Sequence, residues 1–217
     1  MSIESEAAMA DGPYQDQAMG LWARVHKSWT DMRGLTRYLL NQSPSEGRII
    51  FYLVLSDLIF FLSWTLKTVI FPGLEAAPDA PVIIGAWLLI ALMVRTALFY
   101  AASSIVWVMC KGVGGEGSWR DTKAGMFWGS LVSAPFGFVA ALLTILLLET
   151  GGAGLSDAWA VIIPFLLAMV PFVWYISAGV SEAHRFSQSV VLFVVLSIVV
   201  FGIIVALIMF NLESLAG

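Results

Sequence analysis

The sequence predicts an all-α membrane bundle, with five transmembrane helices, the N-terminus cytoplasmic and the C-terminus outside. Three observations carry that expectation. Hydrophobic residues fill 59% of 217 positions and charged residues only 12%, about half the charged share of a soluble domain. Five long apolar segments follow a polar beginning, at about 48–71, 82–110, 124–148, 158–180 and 187–210. Each reaches the roughly 20 residues that a helix needs to cross a hydrocarbon core of about 30 Å. They lack period-two alternation and are too long for barrel strands.

The third observation is the placement of cations. Arg24, Lys27, Arg33, Arg37 and Arg48 precede the first span, Lys111, Arg120 and Lys123 join the second to the third, and Arg185 joins the fourth to the fifth. The opposite connections, about 72–81 and 149–157, and the C-terminal tail hold no Lys or Arg. Basic residues collect on the cytoplasmic side of membrane proteins, so this bias sets both the orientation and the span count. A multi-pass protein of a bacterial inner membrane is the expected location.

Residues 1–16 form a small, polar, acidic stretch, read as a disordered tail. With Glu4, Glu6, Asp11 and Asp16 ahead of any apolar run, it does not resemble a signal peptide. The first span is therefore expected to act as an uncleaved anchor. Residues 17–47 comprise an amphipathic helix and a linker. Trp22, Val25, Trp29, Met32 and Leu39 recur at helical spacing, with Arg24, Lys27, Arg33 and Arg37 between them. Such a helix suits the headgroup layer, its rings in the interface and its cations near anionic lipid. A helix packed on the protein's own loops is the plainer alternative. Asn41-Gln42-Ser43-Pro44-Ser45-Glu46-Gly47 then breaks it, and Ser45 is placed to cap the next helix. Residues 48–217 form the membrane domain. The sequon at Asn41 lies on the cytoplasmic side and is expected to stay unmodified.

Two charges fall deep inside spans. Asp57 lies about eight residues into span one, roughly 12 Å from its cytoplasmic end, and Arg95 lies near the middle of span two. Each costs a few kcal/mol against lipid, and consecutive spans are usually neighbours. A buried Asp57–Arg95 pair is the economical solution, with Ser56, Thr96 or Tyr100 available for further hydrogen bonds. The pair is either a static bridge fixing helix register or part of a proton, ion or headgroup path. Lys67, close to the outer end of span one, can snorkel to the interface.

In span three, Gly125, Gly129, Ser133, Gly137 and Ala141 recur every four residues as a ladder of small side chains. Such a face lets helix backbones approach closely, within the chain or between chains. Pro135 in span three, and Pro164 and Pro171 in span four, each remove a backbone donor and are expected to kink or break their helices. Span five, rich in Val, Ile, Leu and Phe, is expected to face lipid.

Several chemistries find no support. The single Cys110 excludes an internal disulfide and a cysteine-based zinc site, and His26 and His184 are far apart. No metal or other cofactor is expected. The connection containing Gly114, Gly115, Gly117 and Trp119 lacks the Gly-Lys-Ser/Thr ending of a phosphate-binding loop. No basic stripe with interleaved aromatics suggests nucleic acid, and no hydrolase triad or metalloprotease motif suggests an enzyme.

Several stretches, taken in order, resemble a bacterial member of the Yip (Ypt-interacting protein) membrane family. They are Leu39-Leu40 with Pro44-Ser45-Glu46-Gly47-Arg48, Gly114-Gly115-Glu116-Gly117-Ser118-Trp119, Phe127-Trp128 with Ala134-Pro135, and Trp174 with Glu182-Ala183-His184. The resemblance spans about residues 40–210 and implies a cytoplasmic N-terminal region followed by five spans. In eukaryotic relatives it implies binding of Rab-type GTPases in vesicle traffic, machinery that bacteria lack. It implies no catalytic residues. The functional expectation is a non-enzymatic scaffold or accessory protein that binds membrane lipids and a membrane-protein partner or further copies of itself. The alternative is a small transporter or lipid-translocating protein that uses Asp57, Arg95 and proline-broken spans three and four.

Overall fold

The computed structural model describes residues 19–70, 80–150 and 158–216. The acidic tail at 1–16, the Lys67 side chain and most of the two cation-free connections lie outside the described residues. Among the described residues the chain is entirely helical and holds no strand: α1 (Leu21–Ser28), α2 (Met32–Asn41), α3 (Glu46–Ile70), α4 (Ala80–Gly112), α5 (Trp119–Thr150), α6 (Ala158–Ala183) and α7 (Ser189–Ala216). Helices α3 to α7 are each long and apolar enough to cross a membrane. This is a multi-pass integral membrane protein.

The amphipathic stretch departs from expectation. One helix is expected over 17–41, but two short helices form, because Asp31 starts a new one. Its carboxylate accepts from the Gly34 amide at 2.9 Å, satisfying an N-terminal donor of α2. The apolar side turns inward: Val25, Met32, Leu35 and Leu39 are all buried. Val25, Met32 and Leu39 join a core with Ile49, Tyr52 and Leu53 of α3 and Phe127, Trp128 and Val132 of α5. Burial of each such side chain is worth about 1.5–3 kcal/mol, and here the chain's own helices cover them. The rings expected in the headgroup layer are therefore divided. Trp22 is 68% exposed, while Trp29 packs against Phe136 and donates its indole N–H to the Val132 carbonyl at 3.0 Å.

Helices α5 and α6 form the most extensive contact in the fold, and α3 packs on α5 next. The small residues of α5 make that approach possible. A methyl group placed on Gly125 would stand 2.6 Å from the Gly179 carbonyl oxygen, and one on Gly129 would stand 2.8 Å from the Ile176 nitrogen. A period of four on a helix of 3.6 residues per turn drifts by about 40° each step. By Gly137 the ladder has swung away from α6, and a methyl there would meet the Phe60 ring of α3 at 2.6 Å. Ser133 donates back to the Ser130 carbonyl at 2.8 Å, and Ala141 is buried. The ladder is thus used within the chain.

The expected breaks at the prolines need correction. Helix α5 runs through Pro135, and α6 through Pro164 and Pro171, each as one continuous helix. Neighbouring helices and local adjustment can satisfy the backbone groups that proline frees inside a membrane bundle. Helix α7 packs chiefly on α6 and presents Val191, Ile198, Phe201 and Phe210 outward, as its composition predicts.

Candidate functional site

Helices α3 and α4 bring the two mid-span charges together. Asp57 lies near the middle of α3 and Arg95 near the middle of α4, with Arg95 Nε 2.7 Å from Asp57 Oδ1. The contact is an ion pair without a well-aligned N–H···O bond, and Asp57 Oδ2 has no hydrogen-bond donor among the described residues. Arg95 Nη2 donates to Ser130 Oγ at 3.3 Å. That hydroxyl lies 2.7 Å from Ser56 Oγ, so three helices meet in one polar cluster. The guanidinium also lies over the rings of Phe60 at 4.1 Å and Phe99 at 5.3 Å. Ring faces favour a cation, most of all where water is excluded.

Of the hydroxyls expected around the pair, Ser56 joins it through Ser130. Tyr100 instead donates to Glu46 at 2.7 Å. Ser130 escaped the sequence reading because it comes from span three, which no loop-length argument ties to the first two.

The ion pair forms one end of a cavity of about 280 Å³ between α3 and α4. Phe60, Phe61 and Trp64 line it from α3, and Trp87, Ala91 and Leu92 from α4. Its walls are apolar apart from the pair. Trp64 and Trp87 are 42% and 54% exposed, so the cavity is open at these two rings. The two side chains are not equally exposed. The Asp57 side chain is 2% exposed and the Arg95 side chain 26%.

A second cluster lies at the cation-rich end. Glu182, almost fully buried, receives Arg33 Nε at 2.9 Å and Arg37 Nε at 2.6 Å. The bond from Glu182 raises the pKa of Arg37 above that of a free guanidinium. Arg33 also donates to the Phe186 and Ser187 carbonyls at 2.6 and 2.8 Å. Arg24 donates to the Met19 carbonyl at 2.8 Å and lies over the Tyr38 ring. Lys27 stands exposed on the outer side of α1. Lys123 is buried, 2.5 Å from Glu46 Oε1 and over the Trp119 ring. Arg120 donates to the Ser43 and Pro44 carbonyls. The basic residues read as headgroup ligands therefore mostly hold helix ends to one another.

The Gly-rich connection closes over His184. Gly114 adopts φ +88°, a left-handed conformation suited to glycine. A methyl on Gly115 would stand 2.5 Å from His184 Nδ1, and the Glu116 amide donates to the His184 carbonyl at 3.3 Å. Gly117 passes against Ala183 and His184. His184 Nε2 lies 2.8 Å from Thr122 Oγ1, which donates its own proton to the Ser118 carbonyl. Thr122 must therefore accept, so Nε2 carries the imidazole proton and Nδ1 is a bare acceptor with no partner among the described residues. Burial, and then Lys111, push the His184 pKa down. This connection braces the bundle, and the small residues are there for clearance.

Comparison with protein-family models, curated proteins and solved structures gives no match. The chemistry of the site must be read from its own geometry.

Proposed function

We propose that the protein is a non-enzymatic accessory protein of a bacterial inner membrane that binds a lipid or lipid-soluble molecule in the groove between α3 and α4. One observation carries this reading: an aromatic-walled, partly open cavity lies between two spans and includes a buried ion pair. Such concave apolar sites with a few polar groups are the usual form of small-molecule sites. The one-sided cations support a cytoplasmic N-terminus, and the resemblance to the Yip family fits that topology. The α5 ladder lends no support to self-association, because α6 and α3 already occupy it.

The transport reading has the same cavity in its favour. It loses the interrupted helices on which midplane ion sites are commonly built, since α5 and α6 are continuous.

Photo-crosslinking tests the lipid-binding reading. The full chain is placed in nanodiscs of phosphatidylcholine carrying a diazirine in its acyl chain, and the adducts are mapped by mass spectrometry. Concentration of adducts at Phe61, Trp64 and Trp87, beyond that on the outward face of α7, is expected. Equal labelling of both surfaces would count against a groove that holds lipid.

A further inference from the structure

On the reading of the α3/α4 groove as a lipid-side binding site, we propose that its ligand is a neutral, ring-bearing, lipid-soluble carbonyl compound: the chemical class of a membrane quinone. The ring sits among Phe60, Phe61, Trp64 and Trp87, and a carbonyl oxygen accepts a hydrogen bond from Arg95.

Depth argues for the first part of this assignment. Asp57 and Arg95 lie near the middle of α3 and α4, far from the polar headgroups that flank a bilayer. A molecule that meets them from the side must reside in the bilayer interior, which a charged headgroup avoids and a lipophilic ring does not. Size agrees with one ring. An apolar cavity of about 150 Å³ admits benzene, and this one, at about 280 Å³, leaves room for ring substituents. Four aromatic side chains on two facing helices offer the edge and offset contacts that aromatic rings prefer.

Charge decides the polar group. Arg95 is already neutralised by Asp57 at 2.7 Å. A cationic ligand would meet the guanidinium, and an anionic one would leave a net charge in apolar surroundings, both unfavourable inside a membrane. A neutral ligand avoids both costs. Accessibility then sets its hydrogen-bonding sense. Both residues line the cavity, but the Asp57 carboxylate oxygens are buried while the Arg95 side chain keeps 26% exposure. Because a guanidinium only donates, the ligand must supply an acceptor, and a ring carbonyl does so without bringing charge.

The test uses the full chain in nanodiscs of synthetic phosphatidylcholine, with radiolabelled decylubiquinone titrated against it and dodecanoate as the anionic control. Saturable binding of decylubiquinone near one per chain is expected, with dodecanoate failing to compete. Trp64→Ala leaves the ion pair in place and is expected to weaken binding by roughly three- to tenfold. Arg95→Met removes the donor but unpairs Asp57, so the double variant D57L/R95M accompanies it to preserve neutrality, and loss of saturable binding is expected in both. Saturable dodecanoate binding without quinone binding would overturn the ligand class and leave the lipid-binding reading standing. Quinone uptake unchanged in Trp64→Ala and D57L/R95M would reveal simple partitioning and overturn the proposal. Absence of both ligands overturns the proposal as well, and the acyl-chain crosslinks then decide whether the broader reading also fails.

Discussion

Glu182 holds two arginines from a different part of the chain, Arg33 through Oε2 and Arg37 through Oε1, at 2.9 and 2.6 Å. This one carboxylate at the end of α6 fastens α2 to the bundle. Glu182→Ala is expected to loosen α1 and α2, by about 1–2 kcal/mol, low for charge-assisted bonds because water reaches both arginines. Hydrogen exchange over residues 21–41 is the measurement. Faster exchange there, with α5 unchanged, is the expected result. Uniform exchange in both proteins would mean that the apolar face alone holds the pair.

His184 predicts a pH dependence with a definite sign. Its folded pKa is lowered, whereas an unfolded histidine titrates near 6.5. Below that value the unfolded chain takes up a proton that the folded chain resists, so stability falls on acidification. The contribution is complete above about pH 6.5. It diminishes as pH drops from there toward the folded pKa, and then levels off. The Tm of His184→Gln should show a smaller loss between pH 7.5 and 5.5 than the wild type, whatever its absolute Tm. Parallel curves for the two proteins would remove His184 from the acid response.

The small residues of α5 and the glycine of α7 should respond oppositely to one added methyl. At Gly125 the methyl would face the backbone of Gly179, which cannot swing away, so Gly125→Ala is expected to cost about 1–3 kcal/mol by overpacking. At Gly202 nothing lies within 4 Å, and Gly202→Ala should be neutral or mildly stabilising through helix propensity. Thermal unfolding in one detergent distinguishes them. Equal Tm values would mean that α5 and α6 separate more readily than their contact implies.

The sequence made the bundle legible because membrane solvation is written in long runs and one-sided cations. It also made the juxtaposition of Asp57 and Arg95 legible, since two isolated charges in consecutive spans have few inexpensive arrangements. Other features depend on partners that no local pattern names. An amphipathic stretch shows that Val25, Met32 and Leu39 need cover, but not whether lipid or α5 supplies it. Lys123 and Arg33 count equally as topology signals, yet Lys123 is buried against Glu46 and Arg33 reaches Glu182 from across the fold. The expected breaks at the prolines failed for a related reason: a missing donor breaks an isolated helix, while a packed one can be held together by its neighbours.

Trp29 offers a test of how firmly the N-terminal pair is seated in the bundle. Pro135 cannot donate to the carbonyl four residues before it, and the next carbonyl, that of Val132, accepts the Trp29 indole N–H at 3.0 Å. The Tyr175 hydroxyl donates in turn to the Trp29 carbonyl at 3.5 Å, a long bond. Trp29→Phe keeps most of the ring contact with Phe136 and loses the indole donor, a change expected to cost about 1 kcal/mol. Trp29→Ala also removes the packing and should cost roughly 2–4 kcal/mol, slightly below a fully buried aromatic because the ring is only partly covered. Unfolding in a fixed micelle composition, followed by near-UV circular dichroism, gives both values. If Trp29→Phe matched Trp29→Ala, the hydrogen bond would dominate the seat. If Trp29→Phe matched the wild type, the contact would be packing alone, with the α5 carbonyl satisfied inside its own helix.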